Sequence, residues 1–326
     1  MAADWTLLAA LPRYGFSYGP VQPPLLALAS LRWGMSLAAL PVGARWPLST
    51  LVVVTGVHLL LWALVAYGTL IEPFRVRVSH LELSHSRLAN PGSPLRIVQL
   101  SDLHVERLTQ RERSLPSLVA ALAPDLIVLT GDYLSTTYNT EPHALTDLST
   151  LLGQLHVPGG IYAIWGTAEV DRPEALRLVL DHLGIVVLED RAVEVQVAGH
   201  HLWLIGITCT RDEAADGARL RALLNDVPKD VFTLLLYHTP DLMPQAASLG
   251  INLYLAGHTH GGQWRVPGFG AIVTSSRYWK QYESGHYREG ETDLYVSRGL
   301  GFEGFGTLRA RFFCPPEIVW ISLSGS

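Results

Sequence analysis

The stretch Leu95-Arg-Ile-Val-Gln-Leu-Ser-Asp-Leu-His104 decides the fold of this 326-residue chain. Its first six residues are typical of a buried β-strand, and Asp102 and His104 follow directly. Three further apolar runs end in the same way, with Asp132 after 125–130, His238 after 232–237, and His258 and His260 after 252–256. Because open α/β sheets gather ligand-binding residues at the carboxyl ends of their strands, we expect these side chains to share one site.

Short apolar runs alternate with helical patterns from residue 72 onward. The runs predict strands at 74–83, 95–100, 125–130, 161–165, 185–188, 193–197, 201–207, 231–237, 251–256, 294–296 and 318–322. The helical patterns cover 114–123, 142–155, 173–183 and 212–224. This number of strands predicts an α/β domain with more than one sheet layer.

The first 71 residues have a different character. Only four of them are charged, compared with 49 of the remaining 255. The charge-free run Leu48 to Ile71 is longer than the roughly 20 residues that cross a bilayer, so it predicts a transmembrane helix at about 48–71. It is also too long and too far from the first residue for a cleaved signal peptide. We therefore divide the chain into a membrane anchor, 1–71, and a catalytic-type domain, 72–326.

A second apolar run, at about 25–40, contains Arg32 and is bounded by Pro23, Pro24 and Pro41. A charge at mid-membrane costs about 2.5–3.5 kcal/mol on insertion scales, so one crossing and a hairpin of two crossings both remain open. His58, in the stronger helix, is expected to be a neutral imidazole facing another helix rather than a functional group.

The arginines on either side of the stronger helix predict its orientation. Arg45 precedes it, whereas four arginines follow it, at positions 75, 77, 87 and 96. Because basic residues are enriched on the cytoplasmic side, the large domain is expected in the cytoplasm.

Composition excludes several classes of protein. The formal net charge of −5 provides no basic footprint for nucleic acid. The two cysteines, Cys209 and Cys314, form neither a metal-binding spacing nor a disulfide framework. The sequence leaves the oligomeric state open.

Carboxylates and imidazoles together are a donor set that suits Mn, Fe or Zn. The segment Gly257-His-Thr-His-Gly-Gly262 is the most specific part, because side chains one residue apart point to the same side of an extended segment. The alternative is that these are polar residues at strand ends that bind no metal.

The ordered blocks Asp102-Leu-His104, Gly131-Asp132, His238 and Gly257-His-Thr-His260 resemble the calcineurin-like metallophosphoesterases, over about residues 95–323. The segments 261–263, 285–287, 296–301 and 314–318 resemble the membrane-associated bacterial branch, which includes phosphodiesterases and UDP-2,3-diacylglucosamine pyrophosphatases. The resemblance implies a four-layer sandwich of two mixed sheets flanked by helices, with a site for two divalent metal ions at its edge.

The resemblance also assigns roles to individual residues. Asp102, His104 and His260 would hold the first metal ion, and Asp132 would bridge both. His238 and His258 would hold the second. The metal ions, Mn, Zn or Fe, would activate a water for attack on phosphorus.

One block departs from the family pattern. Where the family has Gly-Asn-His-Asp/Glu, this chain has Gly166-Thr167-Ala168-Glu169. Thr167 is a weaker candidate ligand than Asn, and Ala168 cannot protonate a leaving group, so no catalytic acid is assigned. His143, His156 or Glu169 could substitute for it, or the substrate could need no acid.

Other residues have two interpretations each. Arg298 could bind a substrate phosphate or form a structural salt bridge. Five aromatic residues could line a lipid or sugar groove or belong to the core: Trp264, Phe269, Tyr278, Trp279 and Tyr282. Asp171 and Arg172 most simply begin a helix before Pro173.

Together these features predict a membrane-anchored phosphoesterase that depends on two metal ions and acts on a phosphorylated small molecule or lipid. Two alternatives remain. The first is a catalytically silent protein that binds metal or a phosphorylated ligand at the membrane. The second is a structural partner of another membrane protein that holds no metal.

Overall fold

The computed structural model describes residues 2–14, 16, 21–88, 93–304 and 308–326. The helices are α1 Ala2–Ala10, α2 Gln22–Gly43, α3 Pro47–Leu70, α4 Gln110–Ala121, α5 Pro142–Leu152, α6 Pro173–His182, α7 Glu213–Leu224 and α8 Met243–Ser248. The strands are β1 Arg77–Ser84, β2 Leu95–Leu100, β3 Leu126–Leu129, β4 Ile161–Ala163, β5 Val186–Val187, β6 Arg191–Val197, β7 His200–Gly206, β8 Phe232–Leu236, β9 Leu253–Ala256, β10 Arg265–Val266, β11 Gly270–Ala271, β12 Gly285–Glu289, β13 Thr292–Val296 and β14 Glu317–Ser324.

Two six-stranded sheets form the body of the domain. The first has the order β1-β14-β2-β3-β4-β5 and the second β12-β13-β9-β8-β7-β6. Both are mixed: β14 runs antiparallel to β2 in the first, and β12 to β13 and β6 to β7 are antiparallel in the second. The predicted fold class is therefore confirmed.

The alternation of side chains along each strand builds four layers. Ile97 of β2 and Leu234 of β8 belong to the core between the sheets. The next residue on each strand points the other way: Val98 packs in the core that contains side chains of α4, α5 and α6, and Leu235 in the core that contains those of α7 and α8.

Two N-terminal helices, α2 and α3, are long and apolar enough to cross a membrane. Helix α3 matches the stronger predicted helix. Helix α2 is longer than the predicted 25–40 because Pro23 and Pro24 occupy its first turn, where no intrahelical N–H bond is needed. The predicted anchor region also includes residues 1, 15 and 17–20, which lie outside the described residues.

The charge of Arg32 in the middle of α2 is compensated by neighbouring helices. Its guanidinium donates to Asp4 of α1 at 2.8 Å and to the His58 carbonyl of α3 at 2.9 Å. The His58 ring lies between Arg32 and Ser36, at 3.1 and 3.2 Å, and so faces α2 as predicted. Arg32 is therefore paired and buried, the form in which a charge is tolerated within an apolar helix.

The end of α3 is attached directly to the domain. The Arg311 N–H donates to the Gly68 carbonyl at 3.0 Å. The Phe312 ring packs so closely on Gly68 that a Cβ there would lie 2.5 Å from it. Arg311 itself is fully buried and donates to the carbonyls of Arg298, Gly299 and Cys314. This contact fixes the domain close to the end of the apolar helix pair.

The sequence patterns did not predict several of the shortest helices and strands. Helices α1 and α8 and strands β10, β11 and β12 have nine residues or fewer, too few to display a clear period.

Candidate metal centre

The predicted site residues meet at one edge of the two sheets. Asp102 and His104 follow β2, and Asp132 follows β3. His238 follows β8, and His258 and His260 follow β9. Thus the first sheet supplies both carboxylates and one imidazole, and the second sheet supplies the other three imidazoles.

Five of these residues have a backbone conformation that non-glycine residues rarely adopt. The φ angles are 49° at Asp102, 42° at His104, 57° at Asp132, 69° at His258 and 51° at His260. Each such residue costs about 1–3 kcal/mol, and such residues cluster at functional sites. The backbone conformation at these five positions directs their side chains toward one point.

The first cluster contains Asp102, His104, Asp132 and His260, with one ligand atom from each within 4.8 Å of the others. The Nε2 atoms of His104 and His260 are 3.1 Å apart. His104 Nε2 lies 3.6 Å from Asp132 Oδ2, and His260 Nε2 lies 3.6 Å from Asp102 Oδ1.

The second cluster contains Asp132, His238 and His258, again within 4.8 Å of one another. His238 Nε2 lies 3.4 Å from Asp132 Oδ2 and 3.2 Å from His258 Nδ1. Thr167 stands beside this cluster, with its Oγ1 3.3 Å from both Asp132 Oδ2 and His238 Nε2. Asp132 therefore belongs to both clusters.

Contacts outside the clusters turn the imidazole nitrogens inward. His238 Nδ1 lies 2.8 Å from the Thr130 carbonyl, which can only accept, so Nδ1 donates to it and Nε2 faces the cluster. His104 Nδ1 lies 3.2 Å from Glu303 Oε1, and this contact leaves His104 Nε2 facing inward. Such partners orient the ligands in metal sites.

Burial and nearby charges separate the pKa values of the imidazoles. Burial and, next, the charge of His238 lower the pKa of His258 to about 3. Burial and the charge of His104 also lower the pKa of His260. Burial opposes the charged form of His238, but the Asp132 carboxylate outweighs it and raises the pKa of His238 to about 10. His258 and His260 are therefore neutral at pH 7, the form that binds a cation.

Close backbone approach at two glycines makes the clusters compact. A Cβ on Gly166 would lie 2.3 Å from the Asp132 amide nitrogen, and one on Gly257 would lie 2.4 Å from Asp102 Oδ2. Any larger residue at either position would push a carboxylate out of its cluster.

The residues present fit a pair of divalent cations. Pairs of ring nitrogens face one another at 3.1 and 3.2 Å, close enough for one ring to donate to the other or for both nitrogens to bind one cation. His260 Nδ1 is a buried nitrogen for which the described residues supply no hydrogen-bond partner. Two clusters that share one carboxylate are the donor arrangement of a dinuclear centre.

The block Gly166 to Glu169, which departs from the family pattern, also lies at this site. Thr167 takes the place expected for the family Asn, and its N–H donates to Asp132 Oδ1 at 2.6 Å. Ala168 is exposed. Of the three proposed substitutes, Glu169 lines the adjoining cavity, whereas His143 and His156 are exposed and absent from the described lining.

Arg298 is held away from the cavity. Its guanidinium donates to Glu317 Oε1 at 2.8 Å and to Ser79 at 3.2 Å. It is not among the described residues that line the cavity. The structure therefore favours the salt-bridge interpretation of Arg298 over the substrate-binding one.

Two carboxylates at the site were not found by sequence reasoning. Asp171, interpreted as a helix start, accepts the N–H groups of Asp132, Tyr133 and Gly166 at 2.7–2.9 Å. Burial and the Asp132 charge raise the pKa of Asp171 to about 7. Glu303 contacts His104 and accepts from Arg309 at 3.0 Å. No sequence pattern predicts the role of either residue. Their contacts join segments that are far apart in the chain or that have no known motif spacing.

We expect Glu303→Gln to weaken cation affinity about 10- to 100-fold, because an amide holds the His104 ring less firmly than a carboxylate does. Competition with a chelator during metal titration measures this. Glu291→Gln is the matched control, since the Glu291 side chain is 87% exposed and pairs with Arg288 on a surface turn. Equal affinities of the two variants would contradict the role of Glu303.

A cavity of about 960 Å³ adjoins the clusters. Its polar side includes Asp132, Thr167, His258 and Glu169. Its apolar side is formed by Trp264, Ile272 and Val273. A substrate larger than a phosphate group fits this volume, and it would meet both polar and apolar surfaces.

Comparison with known proteins agrees with this geometry. A family model described as calcineurin-like phosphoesterase matches residues 95–262. The uncharacterized metallophosphoesterase YkuE of Bacillus subtilis is 28% identical over 265 residues, covering 80% of this chain and 90% of the relative. Phosphodiesterase YaeI of Escherichia coli is 30% identical over 261 residues, covering 74% and 88%. A Bos taurus transmembrane protein with a metallophosphoesterase domain is 28% identical over 244 residues, covering 70% and 53%.

Proposed function

We propose that this chain, which belongs to the calcineurin-like phosphoesterase family, is a membrane-anchored phosphoric ester hydrolase that cleaves a phosphodiester or pyrophosphate bond with two divalent cations. The observation that carries the proposal is the pair of Asp and His clusters that share Asp132. A single buried carboxylate or imidazole can have many structural roles. Two Asp and His clusters that share one carboxylate have few roles other than metal binding.

In this proposal Asp102, His104 and His260 hold one cation, and Asp132 touches both. His238 and His258 hold the other, with Thr167 as a weak additional ligand. The mixture of carboxylate and imidazole donors favours Mn, Fe or Zn. When bound, the two cations supply Lewis-acid stabilisation of the phosphoryl oxygens and activation of the attacking water.

The residues of the chain contribute orientation and charge. Thr130 and Glu303 hold the rings of His238 and His104, and Asp171 holds the backbone of Asp132. Arg211 also lines the cavity, is exposed, and acts on the pKa of His258 through its charge. We assign it to the anionic oxygens of the substrate, because a guanidinium matches a phosphoryl group.

The cavity supports a lipid-linked or nucleotide-sugar substrate. A phosphate group occupies only a small part of about 960 Å³, and the apolar side next to Trp264 suits a hydrocarbon or ring. The proposed reaction therefore takes place at the bilayer surface.

The anchor, residues 1–71, is supported by the surface of α2 and α3. Large apolar side chains lie exposed along both helices, for example Leu37, Val52 and Leu60. Folded domains in water rarely expose apolar patches of this extent. The turn between α2 and α3 carries Arg45, whereas the arginines at 75, 77, 87 and 96 lie on the domain side, so we place the domain, 72–326, in the cytoplasm.

A second candidate function is a protein that binds metal or a phosphorylated ligand without hydrolysis. It is favoured by one observation, that Ala168 presents no proton donor beside the clusters.

Metal content and phosphodiesterase rate measured on one purified sample test both candidates. We expect about two cations per chain and hydrolysis of bis-p-nitrophenyl phosphate after loading with Mn or Zn. His260→Ala should lose both properties, and His286→Ala, which removes an exposed imidazole that pairs with the buried Asp293 carboxylate, should lose neither. Cations without turnover would favour the silent protein. A chain without cations would exclude both the hydrolase and a silent protein that binds metal.

A further inference from the structure

Four of the five aromatic residues at 264–282 divide into two groups, and the fifth, Trp264, packs against Phe312. Tyr282 is buried in the core beneath the second sheet, and Tyr278 packs against it with ring centroids 5.5 Å apart. Phe269 and Trp279, in contrast, are 61% and 52% exposed. The core interpretation therefore holds for part of the group only.

Exposed apolar side chains surround Phe269. Strands β10 and β11 form a small hairpin with Phe269 at its tip, and Val266, Ile272 and Val273 lie exposed on and beside it. We name these residues, with Trp279, the apolar rim: Val266, Phe269, Ile272, Val273 and Trp279. A cluster of this kind on a water-facing surface marks an interaction site.

The apolar rim is joined to the end of α3 by a short chain of contacts. Phe312 packs on Gly68 of α3, and its carbonyl accepts the Arg265 N–H at 2.9 Å. The Trp264 ring lies edge-on to Phe312, with centroids 5.0 Å apart, and the Ile272 N–H donates to the Trp264 carbonyl at 3.0 Å. The hairpin thus lies close to the place where the apolar helix ends.

The charges beside the apolar rim are basic. Residues 264–282 contain Arg265, Arg277 and Lys280 and no acidic residue, in a chain of net charge −5. Arg265 pairs with Glu283 and Arg277 with Glu213. Lys280 has no carboxylate partner among the described residues, and its ammonium lies 3.4 Å from the centre of the Phe269 ring.

We propose that the apolar rim inserts into the boundary between headgroups and acyl chains of a bilayer that contains anionic phospholipids. The inference rests on the proposed membrane anchor. Aromatic and aliphatic side chains beside a lysine that pairs with no carboxylate of the described residues are the composition of membrane-surface segments. Since Ile272 and Val273 also line the cavity, the inserted hairpin forms the wall between lipid and site, along which the apolar part of a substrate enters.

A fluorescent label at Phe269→Cys tests the insertion, using the full-length chain in lipid nanodiscs. Both native cysteines are buried, so the label reports the new position. We expect a blue-shifted emission and strong quenching by lipids with brominated acyl chains, at a depth of about 5–10 Å. Val266→Cys is a second probe on the same hairpin, should the first variant not fold.

Leu178→Cys is the matched control. Leu178 is 74% exposed on α6, which lies by β5 at the edge of the first sheet opposite β1, the strand that follows α3. Its label should be quenched no more than a label in water. Equal quenching at 269 and 178 would overturn the proposal.

The charge of Lys280 allows a second test of the proposal. Nanodiscs of phosphatidylcholine with phosphatidylglycerol should quench the label at 269 more than phosphatidylcholine alone, and Lys280→Glu should remove this difference. No difference in the parent would refute the preference for anionic lipid. All of these measurements are made on metal-free protein, so they stand or fall independently of hydrolysis.

Discussion

Replacing Asp132 by Asn is expected to reduce hydrolysis about 10³- to 10⁴-fold, because the only carboxylate common to both clusters loses its charge. Metal-ion catalysis contributes several kcal/mol, and each 1.36 kcal/mol is a factor of about ten in rate. The variant should also hold fewer cations after dialysis.

The expected loss is chemical rather than structural. An Asn side chain has the shape of Asp, and its Oδ1 can still accept the Thr167 N–H that Asp132 accepts at 2.6 Å. The backbone of residue 132 keeps its bond to Asp171. Circular dichroism and thermal unfolding should therefore resemble those of the parent.

Asp293→Asn is the matched control for Asp132→Asn. Asp293 is also largely buried and also pairs with a histidine, His286, at 2.7 Å, but it lies on β13 away from the clusters. The Asp293→Asn variant should retain the metal content and the hydrolysis rate of the parent. Parental rate and metal content in Asp132→Asn would contradict the shared role of Asp132.

The strand ends at the site could be predicted because they are local. An apolar run followed by Asp or His is visible in a few residues, and sheet topology brings the ends together. The positive φ angles at Asp102 and His258 could not be predicted, since they follow from packing that forces the backbone into a costly conformation.

Contacts between distant segments escaped sequence reasoning. Glu303 lies about 200 positions after His104, and no spacing rule connects them. Arg32 weakens the sequence prediction of a second apolar helix, because its partner Asp4 comes from a helix too short to predict. Helix α4 begins at Gln110, four residues before the predicted start, because Thr109 and Glu112 form a capping box there.

The double substitution Thr167→Asn, Ala168→His is expected to raise hydrolysis of an alkyl phosphodiester about 10²- to 10⁴-fold, the usual contribution of a general acid. Thr167 Oγ1 already stands 3.3 Å from Asp132 Oδ2 and His238 Nε2, so an Asn oxygen there can reach the second cluster. Ala168 is exposed beside the cavity, which leaves room for an imidazole.

The gain should depend on the leaving group. A p-nitrophenolate leaves without a proton, whereas an alkoxide does not, so rates with an aryl diester should change little. The ratio of alkyl to aryl rates in parent and variant measures the new acid independently of metal loading. An equal gain for both substrates would mean that the substitution acts by holding the second cation instead.

The hydrolysis rates of a Glu169→Gln variant show whether Glu169 acts as the general acid in place of the missing family histidine. If Glu169 donates the proton, the alkyl rate falls, the aryl rate does not, and the double substitution restores the alkyl rate. If the parent hydrolyses neither substrate and the double variant hydrolyses both, the parent is the silent binding protein. The clusters at Asp132 would then serve to hold a ligand, and Ala168 would be the residue that prevents its cleavage.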